Sequence, residues 1–151
     1  MFDDVALNYL KLCKERVEKL PKDVKERAWL GKDAKKWFEQ TNKSDWKLSG
    51  LSSSKLNRYE LMKDINYIKK KNFLSQDNVR KAIIMVLVWG GMSQTENTGK
   101  SAIQTIGSYE DICRDLLSGL NPVTAYERFY SAHNSNEMRG VGPAYYTKLI
   151  C

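Results

Sequence analysis

Near the end of the chain, Gly140-Val141-Gly142-Pro143 is followed within two helical turns by Lys148. These residues offer the most specific chemistry in the sequence. Two glycines one residue apart permit a tight turn and let a backbone come close to a ligand. Pro143 suits the first position of a helix, where its missing donor would be an orphan in any case. Amides at such a helix start point outward and favour phosphate. The candidate phosphate-binding residues are therefore Arg139, Gly140, Val141 and Gly142. Lys148 adds an amine about 7–8 Å up the helix axis from Pro143.

Other chemistry-bearing residues carry less. Gly99-Lys100-Ser101 after an apolar run suggests a P-loop, but a P-loop needs glycine where Gln94 stands. Ser101 is expected instead to cap a helix start. His133 is the only histidine, so neither a triad nor a histidine metal cluster can form around it. It is expected at the surface or a helix end. Glu96, Glu110 and Asp111 read as loop or helix-start charges rather than paired catalytic carboxylates. Cys13, Cys113 and Cys151 are too scattered for a zinc knuckle, and their odd number argues against a disulfide framework.

The elements that must position these residues read as helices throughout. Apolar residues recur at roughly helical spacing over residues 3–19 and again from Lys22 to Gln40. Thr41 to Ser54 reads as a polar loop, with Ser53 or Ser54 capping the next helix. Ser75 caps another, whose segment Ala82 to Trp89 is apolar on every side and predicts a buried central helix ended by Gly90-Gly91. After a loop from Gly90 to Gly99, short helices are expected at Lys100–Ile106 and from Ser108 to near Gly119. Asn121-Pro122 then caps a helix leading to the hairpin. Trp29, Trp37, Phe129 and Tyr130 fall at core spacings. The fold class is an all-α helical bundle with a C-terminal helix-hairpin-helix and no strand. It forms a single helical domain over residues 1–151, with basic helices over 1–72 and the buried helix and hairpin over 75–151.

Charge is unevenly distributed along the chain. Residues 1–81 hold twenty basic and twelve acidic side chains, and residues 82–151 hold five and six. A basic half of this kind suits a polyanion such as DNA or RNA, or forms solvated lysine-rich helix faces. The N-terminus lacks the order of a signal peptide, and the longest apolar run is too short to span a bilayer. A reducing cytoplasm and no membrane association are expected.

The stretch from Ile83 to Leu149 resembles the helix-hairpin-helix DNA glycosylase superfamily, in particular its bacterial 8-oxoguanine glycosylase-type branch. The resemblance rests on a buried helix ending Val88-Trp89-Gly90, two short helices, Gly140-Val141-Gly142-Pro143, and Tyr146-Thr147-Lys148-Leu149. Tyr146 departs from the pattern, because the commonest hairpins have a small residue there. The resemblance implies a partner, double-stranded DNA, whose phosphate is held by the hairpin amides, and a damaged or modified base flipped into a pocket. It also implies that Lys148 attacks the sugar C1′ and forms a Schiff base. Base-excision repair and defence against modified phage DNA are both compatible roles. No cofactor is expected, apart from a monovalent cation that such hairpins sometimes bind. The superfamily's catalytic aspartate would fall beyond Cys151, so a truncated glycosylase is expected. A domain that only binds DNA and a helical protein-interaction domain are the rival readings.

Overall fold

The computed structural model of the chain describes residues 30–42, 46–70 and 74–150, with isolated positions 12, 15, 16 and 19. Trp29, most of the helix expected over residues 3–19 and the start of the next lie outside the described residues. The described elements run β1 (Leu30–Asp33), α1 (Ala34–Thr41), β2 (Lys55–Asn57), α2 (Arg58–Lys70), α3 (Gln76–Trp89), a π-helical turn (Glu96–Lys100), α4 (Ser101–Gln104), α5 (Gly107–Leu117), α6 (Pro122–Asn134) and α7 (Pro143–Ile150). The fold is all-α, with one small two-stranded antiparallel sheet.

Helix α3 is the axis of the bundle. Ser75 caps it by accepting the Asn78 amide, and Ala82 through Val88 are all buried. A segment apolar on every side must be covered on every side, and α1, α2, α5, α7 and both strands pack against it. Trp37 from α1, Tyr109 from α5, Phe129 from α6 and Tyr146 from α7 are fully buried in the same core. Tyr130, expected in the core, is instead 54% exposed. It follows Phe129 by one position, a rotation of about 100° that carries it off the core face of α6.

The sheet corrects the expectation of helices alone. Residues 30–33 fall within the helix expected from Lys22 to Gln40, yet they pair with Lys55–Asn57, Leu30 opposite Asn57 and Asp33 opposite Lys55. Strand β1 crosses the end of α3 so closely that a Cβ on Gly31 would lie 2.6 Å from the Trp89 Cα. Only glycine allows that approach. Asp33 then caps α1 by accepting the Lys36 amide at 2.8 Å. At β2, Asn57 rather than Ser53 or Ser54 caps the following helix. Its side chain accepts the Glu60 amide, and the Glu60 carboxylate accepts the Asn57 amide, a reciprocal capping box.

A buried ion cluster ties α3 to α5. Glu110 is 4% exposed, and its carboxylate receives Arg80 at 2.7 Å and Arg114 at 2.9 Å. A charge placed so deep is tolerable only when both oxygens are paired in this way. The helix-start position expected for Glu110 holds, but the side chain turns inward.

Candidate nucleic-acid interface

Helices α6 and α7 form the two arms of a hairpin whose turn spans residues 135–142. Asn121 caps α6 by accepting the Val123 amide, and Pro122 occupies its first turn. The last turn of α6 unwinds through Ser135 and Asn136, whose φ is 60°. Pro143 opens α7. Tyr146, where commoner hairpins are small, fills the seam between the arms. Its ring stacks on Phe129 at 5.7 Å and meets Tyr126 edge-on at 5.6 Å. A large ring thus does the packing that close backbone approach does elsewhere.

The two hairpin glycines have different physical reasons. Gly140 has φ of 78°, and a Cβ there would lie 2.2 Å from the Thr98 carbonyl oxygen. The turn is pressed onto the π-helical turn, and Thr105 of the adjoining segment donates its hydroxyl to the Arg139 carbonyl at 3.2 Å. Gly142 has room for a side chain: among the described residues, a Cβ added there would meet only His133 Cε1, in ordinary contact at 4.0 Å. Packing therefore requires glycine at 140 and leaves 142 free. The Gly142 carbonyl accepts the Tyr145 and Tyr146 amides. Pro143 has no N–H, so of the first residues of α7 only Ala144 offers an amide without a partner inside the helix, and the other amides at the mouth are those of the hairpin turn. Arg139 is exposed beside them.

Lys148 lies on the face of α7 that meets α3. Its Nζ donates to the Gly90 carbonyl at 3.0 Å and sits 5.2 Å from the Tyr145 ring centre. The carbonyl end of a helix is a natural seat for an ammonium group. Beside it a cavity of about 400 Å³ opens between α2, α3, α5 and α7, its lining including Arg58, Asn66, Trp89, Cys113, Thr147 and Lys148. Burial, helped by nearby Glu110, pushes the Cys113 thiol well above its usual range. Such a thiol packs as a small apolar group.

The remaining candidates take structural places. Lys100 pairs with Glu96 across the π-helical turn, and Ser101 donates to the Glu96 carbonyl rather than capping a helix. His133 ends α6, as expected, but is half-buried. Sequence reasoning did not find three features: the Gly90 partner of Lys148, the contribution of α2 to the cavity, and the placement of His133 beside Gly142. Each joins residues far apart in the chain or brought together only by the hairpin turn. The basic side chains on α1, β2 and α2, including Lys35, Lys36, Lys55, Lys63 and Lys70, are exposed. Among the described residues no helix is long and apolar enough to cross a membrane.

A helical bundle closing on a glycine-turned pair of helices defines a helix-hairpin-helix protein. Residues 22–150 match the family described as "Putative 8-oxoguanine DNA glycosylase OGG-like protein", and the chain belongs to that family. No curated protein and no solved structure matches it.

Proposed function

We propose that the chain binds double-stranded DNA through Arg139, Gly140, Val141 and Gly142 and acts there as a DNA glycosylase on a damaged or modified base. The observation that carries this reading is the unobstructed side of Gly142. The fold accounts for Gly140 by itself, whereas a bare backbone at 142 is what a phosphate approaching the hairpin amides requires. Family membership over residues 22–150 supports the same reading. The cavity beside Lys148 is of a size that accepts small ligands, and in this reading it receives the flipped base.

Lys148 is the proposed nucleophile. As a neutral amine, its Nζ forms a bond to the sugar C1′ while the glycosidic bond breaks and the base leaves with a proton. Opening of the sugar ring then gives the Schiff base. To reach C1′ the amine must first give up the Gly90 carbonyl. A monovalent cation at the hairpin would draw on the Arg139, Gly140 and Val141 carbonyls rather than on that of Gly142, which already accepts two hydrogen bonds.

The test is borohydride trapping on duplexes that each carry one modified base. A covalent adduct with wild-type protein that disappears in Lys148→Gln supports the reading. An adduct that persists in that variant moves the nucleophile elsewhere, and duplex binding without any adduct or excision leaves a DNA-binding module.

A further inference from the structure

Among the described residues, His133 is the side chain that comes within 4 Å of a Cβ placed on Gly142, through Cε1 at 4.0 Å. Its Nδ1 is sealed from solvent and has no hydrogen-bond partner among the described residues. A histidine that merely finished α6 would turn a ring nitrogen onto one of the last carbonyls; no such bond is present. The ring instead lies beside Tyr146, centres 6.2 Å apart and planes tilted by 58°. Cε1 is bonded to both ring nitrogens. With Nδ1 buried, Nε2 is the nitrogen left to face the mouth of the hairpin.

The tautomer follows from the same burial. A buried N–H without an acceptor is among the rarest defects in folded proteins, whereas an unused acceptor is better tolerated. In neutral imidazole one nitrogen donates and the other accepts, so the proton belongs on Nε2. The ring then presents a donor beside the amides of the hairpin turn.

We propose that His133 is a further ligand of the DNA backbone phosphate, its Nε2–H donating to an oxygen of the group held at the hairpin amides. This rests on the hairpin reading above, and it adds a side-chain donor from the opposite arm. Such a donor raises affinity without adding charge. Its loss should therefore lower affinity without changing the slope of log affinity against log salt, which counts cationic contacts.

The experiment is fluorescence anisotropy with a short labelled duplex at pH 8, alongside thermal melts. His133→Leu, which fills the site but cannot donate, should weaken binding about tenfold with the salt slope unchanged. His133→Gln, whose amide nitrogen can stand near Nε2, should recover most of that loss, and His133→Asn should not. In wild-type protein the Nε2 proton and nitrogen resonances should shift on adding duplex, a readout independent of any variant's folding. A folded His133→Leu that binds as wild type, or Nε2 resonances indifferent to DNA, overturns the proposal. Gly142→Val separates the two readings. If Gly142→Val weakens binding and His133→Leu does not, the hairpin stands and His133 is excluded; if wild-type protein does not bind duplex, the hairpin reading itself fails.

Discussion

Lys148 on the last helix donates to the carbonyl of Gly90 at the end of the buried helix, at 3.0 Å. One contact thus joins the hairpin arm to the bundle axis and puts an amine at the rim of the cavity. A lysine holding a helix end and a lysine awaiting substrate would share this geometry, and substitution tells them apart. Lys148→Gln should cost only about 1 kcal/mol of stability, the net worth of one hydrogen bond. It should also abolish borohydride trapping while leaving duplex affinity largely intact. Lys148→Arg keeps a cation at Gly90 but cannot form a Schiff base, so it should melt near wild type and also fail to trap. Trapping retained in Lys148→Arg would exclude Lys148 as nucleophile.

The hairpin glycines should respond oppositely to alanine. Gly140→Ala places a methyl against the Thr98 carbonyl and forces a left-handed backbone onto alanine. We expect a loss of about 2–4 kcal/mol, from strain and overpacking together. Gly142→Ala meets nothing closer than His133 and should change stability by less than about 0.5 kcal/mol. Thermal or urea unfolding checks both, and equal losses would mean that 142 is as structurally constrained as 140.

Glu110 should matter for stability and not for DNA. Glu110→Ala leaves Arg80 without its carboxylate and Arg114 with Asp111 alone, around a vacated site. The cost should be about 3 kcal/mol, the low end for breaking a buried pair because Arg114 reaches solvent. Denaturant unfolding measures this, and a neutral result would show that water replaces the carboxylate without penalty.

Alkaline stability should fall for a stated reason. Burial raises the Cys113 thiol, and burial with a smaller contribution from Cys113 raises the Tyr109 phenol. Above about pH 9 for the thiol and about pH 10 for the phenol, the unfolded chain releases these protons while the folded chain keeps them. Their stabilising contribution is therefore complete below those values and declines as pH rises. Cys113→Ala should flatten the decline between pH 9 and about pH 11 relative to wild type. In folded protein Cys113 should resist thiol reagents at pH 8; rapid modification would contradict the burial.

The sequence was most legible where a single periodic signal had one solution. Ala82 to Trp89 could only be buried, and Asn121-Pro122 and Ser75 announce helix starts with their own side chains. The hairpin was visible because glycines and proline encode backbone shape directly. Strand β1 was hidden because Gly31 matters only through Trp89, a contact across more than fifty positions. Asn57 and Glu60 form a capping box that the neighbouring serines obscured. The cavity was unreadable for the same reason as β1: α2, α3, α5 and α7 each contribute a few residues. His133 looked ordinary until the fold set it against Gly142.

The claim that the hairpin holds a DNA phosphate is tested most directly by duplex affinity in Gly142→Val. The branched side chain fills the space beside the hairpin amides while the remainder of the bundle, judged by its melt, stays folded. The account predicts affinity at least about tenfold weaker than wild type at the same salt, with the same relative preference among duplex sequences. A folded Gly142→Val protein that binds duplex as tightly as wild type would contradict it and reduce the hairpin to a structural turn.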